Sequence, residues 1–179
     1  MPETGFRVEG RRPGFRGSLV RVDVLKIKTA SGRRYTRELI RHPGAVVIIP
    51  RLKKKRLLLI RQLRVAVGGW IWEFPAGTLE RGESPLACAR RELREETQHS
   101  PGRLRKVLEF FPTPGISTEV MHLFVAEDLK PGAPQGLDPD EELVVRDFSV
   151  SQVDEMIRNG RILDGKTILG FLFFQKYIA

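Results

Sequence analysis

Residues 91 to 96 read Arg-Glu-Leu-Arg-Glu-Glu, and three carboxylates gathered this closely can do chemistry. Just upstream, Ser84-Pro85 reads as a helix start, with serine capping free amides and proline suited to the first turn. At ~100° per residue, Leu86, Ala89 and Leu93 fall on one stripe and should face a core, and Glu92, Glu95 and Glu96 fall within a ~100° arc beside it. Ionised together, these carboxylates repel, and Glu92 with Glu96 forms an unfavourable pair four residues apart on a helix. A hard divalent cation offsets that repulsion, because Mg²⁺ prefers oxygen ligands and commonly bridges carboxylates to phosphates. The alternative is a solvated helix face neutralised by Arg90, Arg91 and Arg94. Other chemistries lack their residues. There is no P-loop, no G-x-G-x-x-G, no metal-ligand spacing among His42, His99 and His122, and no Ser-His-Asp order.

The elements that must position this helix are short strands. Residues 18 to 28 alternate apolar and polar with one slip, Ser31-Gly32 is a turn, and Arg33 to Ile40 returns as a second strand. The first forty residues therefore predict a small antiparallel sheet, ended by Pro43-Gly44. Ala45 to Pro50 and Leu57 to Gln62 are apolar runs of buried-strand type, joined by the basic loop Arg51 to Arg56. Further strands are expected over Ile71 to Phe74, Val107 to Phe111, Met121 to Ala126 and Leu143 to Phe148. Residues 130 to 142, rich in Pro, Gly and acid, predict a long exposed loop. A helix is expected from Ser151 to about Asn159, with Gly160 as its stop, and an apolar helix over residues 165 to 178. Strands mixed with a few helices give an α+β fold.

Composition narrows the reading. A chain of 179 residues suits one domain with a proper core. No apolar run reaches the ~18 residues of a membrane helix, and the polar start carries no secretory signal. Cys88 is the single cysteine, so no intrachain disulfide forms and a reducing cytoplasm is expected. The formal net charge of +9 attracts phosphates, small or polymeric.

Gly77, five residues, Glu83, seven residues and then Arg91-Glu92-Leu93-Arg94-Glu95-Glu96 resemble the Nudix box, with six fixed residues and an aliphatic at the correct spacing. The match fails at its end, where Gln98 replaces a glycine and His99 an aliphatic. A longer or differently capped helix is therefore expected, stopped by Pro101-Gly102. The resemblance implies an α/β/α sandwich with a mixed sheet over residues 43 to 179, preceded by an N-terminal β-sheet over residues 1 to 42 that dimerises. It implies that Glu92 and Glu96 are the main metal ligands, that Glu95 is a further ligand or a base, that the Ala76 carbonyl also binds metal, and that Glu83 and Arg91 tie loop to helix. Mg²⁺ is the expected cofactor, with Mn²⁺ as the alternative.

Glu73-Phe74-Pro75-Ala76-Gly77 and Pro114-Gly115-Ile116-Ser117-Thr118-Glu119 are similar to segments of the ADP-ribose pyrophosphatase branch, as are Arg37-Glu38, His42 to Ala45 and Asp164 to Thr167. The implied reaction converts ADP-ribose and water to AMP and ribose 5-phosphate. The implied general base is Glu141, with Glu142 as the alternative. Arg37, Arg64, Pro114, Gly115 and Glu119 are the implied substrate contacts, and Trp70, Trp72, Phe15 and Tyr35 are candidate stacking surfaces for adenine. A homodimer is expected. GDP-mannose or a dinucleotide cofactor are alternative substrates. The basic charge also motivates a non-catalytic nucleotide- or RNA-binding module, which the crowded carboxylates disfavour.

Overall fold

A computed structural model describes residues 5–18, 20–132 and 143–178. The chain divides into two compact units, Met1–Gly44 with Phe111–Val120, and Ala45–Phe110 with Met121–Ala179.

The first unit holds a three-stranded antiparallel sheet in the order β1 (Phe6–Arg16), β2 (Arg21–Thr29), β3 (Arg34–Arg41). Strands β2 and β3 match expectation, with Gly32 at a φ of 84° in the turn between them. Strand β1 was not anticipated. It is exposed along nearly all its length and rich in Arg, Gly and Pro, so no buried face imprints an alternation on it. Its register slips at Val8/Gly10 and Pro13/Phe15, the second slip accommodating proline. The broken alternation of β2 has a cause: Asp23, Val24 and Leu25 are all buried in succession. Asp23 is held by Arg16 at 2.8 Å, with Arg11 at 3.7 Å and Arg41 at 3.8 Å, and the Arg16 hydrogen bond keeps its carboxyl below the usual range. The loop through Pro114-Gly115 is pinned to β3, since the Ile40 amide donates to Ile116 at 2.8 Å and the Thr118 amide donates to Ile40 at 3.0 Å.

In the second unit, β4 (Ala45–Leu52), β5 (Arg56–Arg64), β9 (Arg103–Phe110), β10 (Met121–Glu127) and β12 (Leu143–Ser149) run in the order β12-β5-β4-β10-β9. Strand β6 (Gly69–Glu73) pairs with β5, and β7 (Ala76–Thr78) with β4. The β4–β10 pair is parallel and the others antiparallel, giving the expected mixed sheet. Two short strands, β8 (His99–Ser100) and β11 (Lys130–Pro131), pair separately.

Strand β4 is buried on both faces, which is why its sequence is a continuous apolar run. Val46 and Ile48 pack with Cys88, Ala89 and Leu93 of α1 (Pro85–Thr97). Val47 and Ile49 pack with Val153 and Met156 of α2 (Val150–Arg158) and with Phe171 and Phe174 of α3 (Gly165–Tyr177). The result is a helix layer on each face of one sheet. Truncating a side chain such as Leu93, fully buried in this core, costs about 2–5 kcal/mol. Helix α2 begins earlier than expected, because Ser149 rather than Ser151 forms the capping box with Gln152.

Candidate active site

Helix α1 starts as its sequence predicts: the Ser84 hydroxyl accepts the Ala87 amide at 3.2 Å, and Pro85 occupies the first turn. One element of the expected apolar stripe fails. Ala89 and Leu93 are fully buried, but Leu86 is 46% exposed. Helical side chains lean toward the N-terminus, so a residue in the first turn points off the end of the packed layer.

Strand β7 determines where the glutamates go. Glu96 is 3% exposed, and its Oε2 accepts the Ala76 amide at 2.9 Å. Glu92, one turn earlier, lies over Gly77, where a Cβ would sit 1.8 Å from its Oε1. Gly77 leaves room for this carboxylate: any larger residue there would push it aside. Both glutamates are gathered against the same two residues of β7.

Arg91 ties this helix to the preceding loop. Its guanidinium meets Glu83 at 3.0 Å, Glu92 at 2.7 Å, Glu95 at 3.1 Å and, more loosely, Glu80 at 3.9 Å. It also donates to the Thr78 carbonyl at 3.3 Å. Arg91 draws the Glu83 carboxyl down to about 2, and Glu83 in turn raises Arg91 above its already high value. Cys88, buried beneath this cluster, is pushed up to about 12 by desolvation, with the Glu83 and Glu92 charges adding, so its thiol is unreactive.

The donor set suits a hard cation: all oxygen, anionic, on one helical turn beside a cradle kept open by glycine. Among the described residues, no group of three or more His, Cys, Asp or Glu side chains is arranged to hold a metal ion.

The helix exit differs from expectation. Helix α1 is not prolonged and Pro101-Gly102 is not its stop. Gln98 itself adopts the left-handed conformation, φ 59° and ψ 29°, with its amide donating to the Arg94 carbonyl at 2.9 Å. The conformation a glycine would supply is kept by a residue that pays strain for it. The Gln98 carbonyl accepts the Gly132 amide at 2.7 Å, which secures this exit next to the β8–β11 pair.

Arg64 forms a fork with Glu73, at 2.8 and 2.9 Å. Glu73 is fully buried and also bonds Lys166, whose ammonium reaches Asp164 at 2.9 Å. Burial pushes the Glu73 carboxyl up, but Arg64 and Lys166 outweigh it and the net shift is downward. Thr167, fully buried, donates to Asp164 at 2.6 Å and accepts the Phe74 amide at 2.8 Å. Sequence reasoning gave Glu73, Asp164 and Lys166 no role. The available signal was an acid inside the apolar run Trp70 to Phe74, which requires buried counter-charges.

The remaining predicted residues lie in the first unit or outside the described residues. Arg37 sits over the Tyr35 ring at 5.3 Å. Pro114 and Gly115 are exposed, and Glu119 is 3.9 Å from His42. Glu141 and Glu142 lie outside the described residues. No described helix is long and apolar enough to cross a membrane.

Comparison with known proteins agrees with this geometry. A family model of the NUDIX domain matches residues 41–168. The chain is 31% identical to an ADP-ribose pyrophosphatase of Bacillus subtilis (strain 168), covering 90% of this chain and 88% of that one. It is 34% identical to a methanol dehydrogenase activator of Bacillus methanolicus over the same shares. It is 39% identical to a GDP-mannose pyrophosphatase of Escherichia coli O1:K1 / APEC, covering 77% and 80%. A crystal structure of an ADP compounds hydrolase superposes with a TM-score of 0.87 at 22% identity, covering 97% of this chain and 94% of that one, which establishes the shared fold. With the box helix seated on β7 and relatives of this similarity across most of its length, the chain belongs to the Nudix family and is a pyrophosphohydrolase.

Proposed function

We propose that the protein hydrolyses the pyrophosphate of ADP-ribose, or of a similar nucleoside diphosphate sugar, to AMP and ribose 5-phosphate, with Mg²⁺ as cofactor and Mn²⁺ as a substitute. The observation carrying this reading is the convergence of Glu92 and Glu96 on Ala76-Gly77. The divalent ion, when bound, neutralises the diphosphate and lowers the pKa of a water. Glu92 and Glu96 would hold it, with Glu95 and the Ala76 carbonyl as further donors. Arg91 fixes the angle of the glutamates and spreads one positive charge among them. A carboxylate would take one proton from the attacking water, leaving hydroxide to attack the phosphorus. Glu95 is within the described site, and Glu141 or Glu142 is assigned the same role on the family resemblance.

Arg64 is the assigned phosphate contact, its guanidinium pre-oriented by the fork to Glu73. Arg37, Pro114, Gly115 and Glu119 are assigned to substrate on the resemblance alone. The same reading includes a homodimer and a cytoplasmic location. GDP-mannose is the second reading, favoured by the 39% identity to a protein named for that substrate. A panel of ADP-ribose, GDP-mannose and dinucleotides with Mg²⁺ or Mn²⁺, scored by AMP or GMP released, tests the proposal. Rapid AMP release from ADP-ribose supports it. Preferred turnover of GDP-mannose replaces it with the second reading.

A further inference from the structure

The sheet of the second unit has a second feature on the face away from α1. Strands β5, β6 and β12 alternate, so residues opposite one another share a face. Arg61 opposes Trp72, and Leu59 opposes Arg146. Leu57 and Leu59 belong to the core under α2 and α3, whereas α1 covers the other face. Arg61, Trp70, Trp72, Arg146 and Phe148 are therefore on the same face as Leu57 and Leu59, and the alternation points Glu73 and Arg64 to the opposite face. Together with Arg161, which follows α2, these five residues line a cavity of about 520 Å³, within the ~300–1,000 Å³ range of small-molecule sites.

The chemistry of the lining is selective. None of Arg61, Arg146 and Arg161 forms a salt bridge with a described carboxylate, whereas neighbouring Arg56 is paired with Asp147 and Arg51 with Glu127. Three unneutralised guanidiniums facing one cavity repel each other and favour an anion among them. The Arg61 guanidinium lies 5.9 Å from the Trp70 ring centre. Trp72 is braced edge-on by Phe148 at 5.0 Å and 84°. Indole faces beside guanidinium forks suit a flat heteroaromatic ring carrying phosphate.

We propose that this pocket is a second binding site, separate from the carboxylates of α1, for a mononucleotide-class ligand: a planar base held against Trp70 and Trp72, and a phosphate held by Arg146 and Arg161. The chain has two tryptophans and both line this pocket, so their fluorescence reports on it directly.

The test is to titrate the full chain with AMP, which contains no pyrophosphate bond, while following tryptophan emission. Adenosine and inorganic phosphate run as separate arms. The proposal expects saturable quenching by AMP, weaker quenching by either fragment, and a half-saturation raised at least ~10-fold in the Arg146→Ala/Arg161→Ala double variant. It also expects that variant to hydrolyse its substrate at the normal rate. Quenching that is absent, that persists unchanged in the double variant, or that phosphate alone reproduces would overturn it. So would joint loss of quenching and hydrolysis, which would make the pocket part of the reaction site. A tryptophan signal that follows protein concentration rather than AMP would instead mark a contact between copies and overturn it equally.

Discussion

The second unit contains two clusters of buried or half-buried acids, and they are balanced differently. Around Glu73, two carboxylates, Glu73 and Asp164, meet two cations, Arg64 and Lys166. Around Arg91, one guanidinium is divided among Glu80, Glu83, Glu92 and Glu95. The first cluster is complete as folded and joins α3 to β5 and β6. The second is crowded with negative charge, which a structure tolerates where a further cation binds. We read the first as a structural tie that also orients Arg64, and the second as the proposed cation-holding site.

That contrast breaks most readily at Glu73. Replacing it with Ala leaves Lys166 with Asp164 alone and the inner side of Arg64 unpaired, and we expect a loss of about 3–5 kcal/mol in urea unfolding, with turnover of the folded fraction falling by no more than about 10-fold as Arg64 loosens. Glu92→Gln should do the reverse: turnover drops by roughly 10²–10³-fold, the scale of losing one preorganised charge-stabilising group, while the melting temperature stays within a few degrees. If the two variants exchanged signatures, the distinction would be wrong. Gly77→Ala should act mainly on turnover, since its Cβ meets the movable carboxylate of Glu92. We expect a turnover loss of about 10-fold or more with little change in stability, measured by steady-state assay and by unfolding.

Acid sharpens the comparison further. The folded Glu83 carboxyl titrates near 2 against an ordinary value of 4.5. Between these values the unfolded chain binds more protons than the folded one. The stabilisation is therefore complete above about 4.5 and is lost as pH falls toward 2. Urea midpoints across that window should fall, and Glu83→Gln should flatten this limb. The smallest effect is at Gln98. Gln98→Gly removes left-handed strain and should stabilise by about 0.5–1 kcal/mol, read by thermal unfolding, with turnover unchanged.

Much of this was legible in the residues. The α1 helix, its serine cap and the two-sided burial of β4 follow from local pattern, because each is set by nearest neighbours or by a continuous apolar run. What escaped depends on partners distant in sequence. Strand β1 carries no buried face of its own. Leu86 fits its stripe but lies past the packed layer. Gln98 obeys a backbone demand that its side chain does not advertise. The Glu73–Lys166 pair joins residues 93 apart, and only the oddity of an acid in an apolar strand hints at it. Helical projection put Glu92 and Glu96 on one side of α1, but the Gly77 cradle and the Ala76 amide that gather them belong to another strand.

The most direct test of the account is AMP release from ADP-ribose by wild-type protein and by Glu96→Gln, each titrated with Mg²⁺ and then with excess chelator. The account predicts saturable, chelator-sensitive turnover in the wild type and a folded Glu96→Gln protein that stays nearly inert at every Mg²⁺ concentration. Turnover that survives chelation, or a Glu96→Gln protein that matches the wild type, would contradict it.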